Sequence, residues 1–430
     1  MATDRQRSSS ALARRAAREA RRIRPGEIDL ERPFHPDLDP RQLAALRRGR
    51  LERLQATMRS RGTAICLLFS PANIRYATGT DVMGVWSATT FARHCVVPAS
   101  GDPVLFEYPG SMHVSERLVG DVRPAREWQF KVPSAEGPAR AWAREIGGVM
   151  AELGLAGERL AVDKLDAPGF LALGAEGIEV ADAGPVTLEA REVKTEEELG
   201  VVRLNGTIGD EMLAELEAAI RPGVREYELL AVLSHALLRR HGEFLATRLL
   251  ASGERTNPWM HEAHGRVVRE GEMVALDTDA HGYEGYVIDL SRGFLCGDGP
   301  PDLEQRDAYG AAFEVVQGMA DTVRPGITFW DLANAAPELD ERYREQRYAS
   351  LGHQAGLEIE GPDIPYPDEA DSWTPELAER TLRPGMVLSL QCYAGAVAGS
   401  AGVKLEDQVI VTDEGCELMC RYPYDQRLLA

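Results

Sequence analysis

The chain has 430 residues, 44% of them hydrophobic and 27% charged, an average soluble composition on a chain too long for one ordinary core, so two domains plus a tail are expected. A formal net charge of -20 argues against nucleic acid as the main partner, because phosphate binding needs a dominant basic surface, and it suits metal ions or cationic substrates. No apolar run approaches the ~18 residues that span a bilayer, and six scattered cysteines with no CxxC pair and no secretory h-region favour reduced thiols and the cytoplasm.

Residues 1–45 read as an arginine-rich N-terminal tail. Arg5 to Arg24 holds three serines at 8 to 10 and only Glu19 as an acid, the composition of a frayed helical tail. From Leu51 a helix leads into Thr63 to Phe69, a buried-strand pattern, followed by the turn Ser70-Pro71-Ala72-Asn73 and a new element starting at Ile74. Strands are predicted at Phe91 to Val97, Pro103 to Tyr108 and Arg159 to Val162, with a helix at Pro138 to Leu153. Residues 46–190 thus form a small α/β domain. Lys194 to Glu198, with Thr195 and Glu198 in capping-box register, then opens a long amphipathic helix and the C-terminal domain, residues 191–430. Helices are predicted there at Glu226 to His241, Glu304 to Val323 and Phe329 to Gln346, and strands at Met273 to Asp279, Gly285 to Phe294, Met386 to Cys392 and Val403 to Val411. The absence of a short-period repeat argues against solenoids and propellers.

The chemistry gathers on those strands. Asp277 and Asp279 close an apolar run, and residues two apart in a strand share a face. After the turn His281 to Gly285, the returning strand carries Asp289 back across the hairpin. Three buried acids without a counter-cation would cost several kcal/mol each, which calls for a hard divalent ion. Val403 to Val411 alternates so that Lys404, Glu406 and Gln408 share the polar face, and Gln391 on the partner strand can lie beside Glu406. His353, among small neighbours, can reach a metal through one ring nitrogen. Singly, each has a plainer reading: a structural histidine, a turn-capping Asp-x-Asp pair, a surface glutamate. Their order within one domain favours a metal site.

These residues resemble the pita-bread metalloenzymes, the superfamily of prolidase, methionine aminopeptidase and creatinase, whose site uses Asp, Asp, His, Glu, Glu in that chain order. Thr247 to Gly253, Arg255 to Trp259, Asp277-Thr278-Asp279 and Lys404 to Val409 resemble its dimethylsulfoniopropionate lyase branch, as do Asn73 to Thr78 and the closing Tyr422-Pro423. The resemblance runs from about Leu51 to the C-terminus. It implies a mixed α/β (α+β) architecture, with a small creatinase-like N-terminal domain and a pita-bread catalytic domain. It also implies metal ligands at Asp277, Asp279, Asp289, His353 and Glu406, with Gln391 at the sixth position. Tyr348 matches a pocket-lining residue, and Trp259 joins it in facing substrate. The implied cofactor is a divalent metal, iron first, with manganese, zinc or cobalt as alternatives; the implied assembly is a homodimer with no nucleic-acid or membrane partner.

Three departures shape the expectation. Gln391 stands where the family has glutamate; removing a unit charge at ~4 Å is worth about 4 kcal/mol at an effective dielectric of 20, so one firm metal and a weak second are expected. The lyase branch places a catalytic aspartate six residues after the metal histidine, where this chain has Ile359 flanked by Glu358 and Glu360. The peptidases place a second histidine at the position of Glu360 and another upstream of the first aspartate, near Met260, His261 and His264. Three readings follow: a lyase cleaving a C–S bond of a small zwitterion, an Xaa-Pro dipeptidase with Glu406 or a nearby histidine handling protons, and a catalytically impaired homologue that binds.

Overall fold

A computed structural model of the chain describes residues 17–30, 36, 38–81, 90, 92–129 and 133–430. The predicted strand start at Phe91 and the tail up to residue 16 lie outside the described residues. The chain forms two compact units, Leu38–Glu197 on the one hand and Met1–Asp37 with Glu198–Ala430 on the other.

The smaller unit opens with α1 (Pro40–Ser60), where Asp39 accepts hydrogen bonds from the Arg41 and Gln42 amides and Pro40 occupies the first turn. Its sheet has the order β4-β3-β2-β1-β5-β6. The strands are β1 (Ile65–Leu68), β2 (His94–Pro98), β3 (Val104–Glu107), β4 (Asp121–Pro124), β5 (Leu160–Val162) and β6 (Val180–Asp182). The segment read as a turn at Ser70 to Asn73 is instead the start of α2 (Pro71–Thr78), since proline is tolerated at a helix N-terminus, and Gly79 ends that helix at φ 69°. Helix α3 (Glu136–Glu152) lays Trp142, Ile146 and Val149 into a core shared with Phe69, Trp128 and Phe106.

The larger unit is built on an antiparallel sheet of order β12-β11-β13-β14-β10-β9-β7, with β8 added to β9 and β15 to β14. These are β7 (Phe244–Leu245), β8 (Leu249–Ser252), β9 (Met273–His281), β10 (Val287–Leu295), β11 (Gly352–Ala355), β12 (Ile359–Ile364), β13 (Val387–Gly395), β14 (Gly402–Val411) and β15 (Cys416–Leu418). Helices α4 (Glu196–Ala219), α5 (Glu226–Leu238) and α6 (Leu303–Thr322) cover it. Gly206 lets α4 approach closely, because a Cβ there would sit 1.9 Å from the Met419 carbonyl oxygen. The long helix predicted at Phe329 to Gln346 is two short ones, Phe329–Ala335 and Glu341–Arg344. Pro337 has no amide hydrogen to donate, and it biases Ala336 out of the helical region, where its ψ is 131°.

The described end of the tail departs most from expectation. Arg22 is buried, its guanidinium paired with Asp407, while the Arg18 guanidinium donates to Asp321 at 2.8 Å and the Ile23 amide to the Arg421 carbonyl at 3.1 Å. Asp407 also receives Arg292 at 2.8 Å, Gln317 at 2.7 Å and the Tyr424 hydroxyl at 2.9 Å. A segment whose composition suggests solvation is therefore docked, helical at residues 17–19 and turning at 20–22. Among the described residues, no helix is long and apolar enough to cross a membrane.

Candidate metal centre

Strand register gathers the site. Directly paired residues of an antiparallel sheet share a face. Across β9, β10 and β14 the pairs are Asp279 with Asp289, Asp277 with Ser291, and Ser291 with Glu406. Across β14, β13 and β11 they are Glu406 with Gln391, Lys404 with Tyr393, Gln408 with Ser389, and Ser389 with His353. Asp277, Asp279, Asp289, Glu406, Lys404, Gln391 and His353 thus project from one face of five neighbouring strands. Period-two alternation puts Arg292 and Asp407 on the other, where Asp407 pairs with both Arg292 and Arg22.

Asp289, His353 and Glu406 form the tightest group, each offering a ligand atom within 4.8 Å of the others. The His353 Nδ1 lies 2.9 Å from the Gln354 carbonyl, which fixes that nitrogen as the donor. The Nε2 atom is then left facing Asp289 Oδ2 at 3.4 Å and Glu406 Oε1 at 3.8 Å. Both Asp289 oxygens and Glu406 Oε1 are buried without a hydrogen-bond donor. Burial, reinforced by Glu406 and Asp279, pushes the Asp289 carboxyl well above its ordinary range; burial likewise raises Glu406, against the pull of Lys404. Orphaned carboxylate oxygens around an imidazole nitrogen are a donor set that fits a divalent cation.

The other acids are held differently. Asp277 accepts the Ser291 hydroxyl at 2.7 Å and the Lys404 ammonium at 3.0 Å through each oxygen, and Lys404 also reaches Glu406 Oε2 at 2.9 Å. Burial opposes the Lys404 charge, but Asp277 and Glu406 outweigh it and raise its pKa well above the ordinary lysine value. Asp279 lies beside Asp289, half-buried and outside the three-ligand group. The Gln391 amide donates to the Ser350 hydroxyl at 3.1 Å, and its buried oxygen has no donor. Tyr348 lays its ring 4.5 Å from the Lys404 ammonium; burial raises its hydroxyl to about 12. Trp259 is buried, stacked on Tyr393 with ring centroids 6.0 Å apart, and its indole N–H lacks an acceptor.

The structure does not bring the remaining candidates to this group. Glu360 pairs with Gln354, the neighbour of His353 on β11, so alternation turns it to the opposite face, while Ile359, paired with Ala355, takes the His353 face. Glu358 sits in the turn between β11 and β12. His264 lies 3.7 Å from Glu226, and His261 bonds the Arg255 carbonyl at 2.9 Å. A cavity of about 400 Å³ beside Arg347, Leu351 and Tyr366 contains none of the ligands. Ser291 and the role of Lys404 escaped sequence reasoning, although both sit two residues from a ligand on an alternating strand.

Residues 201–413 match the metallopeptidase family M24, and residues 50–193 match the creatinase/prolidase N-terminal domain. The chain is 34% identical, over 90% of its length and 88% of the relative's, to a dimethylsulfoniopropionate lyase, DddP, of Roseovarius nubinhibens. It is 28% identical, over 55% of its length and 65% of the relative's, to an Xaa-Pro dipeptidase of Pyrococcus furiosus. A recombinant prolidase from Thermococcus sibiricus superposes with TM-score 0.72 at 23% identity, covering 88% of this chain and 98% of that one, a likeness of fold. A sheet whose register turns four acids and a histidine toward one another, read with a lyase relative matched along nine-tenths of the sequence, makes this chain a metal-dependent enzyme of the pita-bread metallopeptidase family M24.

Proposed function

We propose that the chain is a lyase that eliminates dimethyl sulfide from a small zwitterion such as dimethylsulfoniopropionate, using one divalent ion, iron in first place, held by Asp289, His353 and Glu406. The orphaned ligand oxygens around His353 Nε2 carry the reading. When bound, the ion supplies Lewis acidity toward the substrate carboxylate. Asp279, beside Asp289 and only half-buried, is placed to take the proton from the carbon next to that carboxylate, in the role Ile359 cannot fill. The freed electron pair forms the C=C bond, and the C–S pair leaves with sulfur as neutral dimethyl sulfide. Tyr348, with Lys404 over one face of its ring, and Trp259, stacked on Tyr393, are the aromatic groups proposed to meet the sulfonium. Metal-reconstituted protein should release dimethyl sulfide into the headspace and lose that activity on chelation; silence with a fully loaded centre would remove the lyase reading.

The dipeptidase relative supports a second reading, hydrolysis of an Xaa-Pro dipeptide, tested by a dipeptide panel with manganese, cobalt or iron. A homodimer, checked by sedimentation, and a cytoplasmic location, consistent with free and mostly buried cysteines, belong to the same proposal.

A further inference from the structure

We propose that the ammonium of Lys404 stands in the place of a second metal ion, so that the centre takes one divalent ion per chain. The proposal rests on the metal-centre reading above. The three protons of the ammonium meet three acceptors, the two Asp277 oxygens at 3.0 Å and Glu406 Oε2 at 2.9 Å, and the Tyr348 ring closes the remaining side at 4.5 Å. The Ser291 hydroxyl lies between the same two carboxylates, 2.7 Å from Asp277 and 3.0 Å from Glu406 Oε2, with one proton to share between them. Glu406 is thereby divided: Oε2 serves the ammonium, and Oε1, which has no donor, faces His353. It is a carboxylate bridging two cation places, one already filled by a side chain.

Divalent ions sit ~2.0–2.6 Å from carboxylate oxygens. An ion bound to Asp277 and Glu406 Oε2 would therefore have to enter the volume that Nζ fills. Charge points the same way. Asp277, Asp279, Asp289 and Glu406 contribute four negative charges, Lys404 returns one and Gln391 none, leaving three. One divalent ion leaves the centre at minus one, matched to a substrate that carries a cation; two would leave it at plus one around a buried ammonium. Two side chains on paired strands, Gln391 and Lys404, each remove negative charge from the second place.

The test is metal stoichiometry with Mn²⁺ as probe, by elemental analysis and electron paramagnetic resonance on dialysed full-length protein. Wild type should bind one ion per chain with an uncoupled spectrum, and Gln391→Glu should still bind one, because Lys404 remains. The double variant Lys404→Met/Gln391→Glu should bind two and show a spin-coupled pair. Two ions in wild type, a second ion gained by Gln391→Glu alone, or a folded double variant that stays at one would each overturn the proposal. If the double variant does not fold, the first two arms still decide. No ion in wild type would instead overturn the metal-centre reading.

Discussion

Replacing Asp407 with asparagine should unfold the larger unit several degrees early, although the residue lies on the face opposite the metal centre. Asp407 is buried and compensates two buried guanidiniums, Arg22 and Arg292, while also accepting from Gln317 and Tyr424. Asparagine keeps the shape but leaves the two like charges facing each other without their acid. Breaking a buried pair on one side costs about 3–5 kcal/mol, and at about 2–4 °C per kcal/mol for a unit of this size the melting transition should fall by roughly 6–20 °C. Arg22→Met should cost less, about 1.5–3 kcal/mol for one charge-assisted bond, because Arg292 still neutralises the acid. Deletion through Arg24 should cost at least as much as Arg22→Met. Burial pushes the Asp407 carboxyl up, but Arg22 and Arg292 outweigh it and hold it well below the usual range. A depressed carboxyl contributes stability that is present above its unfolded value near about 3.9 and is lost as pH falls through the lower folded value. The gap between wild type and Asp407→Asn should therefore stay constant from about pH 8 to pH 5. Calorimetry that follows the transition of the larger unit measures this. A loss under about 1 kcal/mol, or an N-terminal deletion that melts like wild type, would show that the two guanidiniums do not depend on Asp407.

Asp289→Asn should cross over. Without metal it should stabilise the protein by about 1–3 kcal/mol, because a buried carboxylate with no donor is removed. With metal at 1,000 times its Kd the wild type gains about 4.1 kcal/mol that the variant lacks, and paired melts with and without chelator show both signs. Tyr348→Ala removes the ring beside Lys404 and should raise KM for a cationic substrate by roughly tenfold, while Tyr348→Phe leaves KM near wild type; steady-state kinetics on the two variants separates ring from hydroxyl. Gly206→Ala should destabilise by about 1–3 kcal/mol in denaturant melts, since the added methyl meets the Met419 carbonyl rather than a side chain that can turn away.

Much of this architecture is legible because it is written in short periods. Alternation on Val403 to Val411 sets Lys404 and Glu406 on one face, and the observed register puts Gln391 beside Glu406. The helix opening at Thr195 is legible from its acids and capping pattern. What escaped depends on partners remote in sequence. Arg22 reads as a solvated cation because its counter-charge lies 385 residues away. Lys404 reads as one more alternating residue until three acceptor oxygens are seen around its ammonium. Glu360 is attractive by its distance from His353 in sequence, yet strand alternation already turns it away from the Ile359 face, and the β11–β12 register agrees. At Phe329 to Gln346, apolar spacing outweighed Pro337, whose missing amide hydrogen decides the matter.

The docking of Arg22 against Asp407 also fixes an order of events during synthesis. The larger unit is split in sequence around the smaller one, so Arg22 is made long before Asp407, which follows 385 residues later, and must wait for it to emerge. The intervening domain can be complete by then. Until that late closure Arg292 alone can neutralise Asp407, and a nascent chain stalled before residue 407 carries Arg22 without its counter-charge.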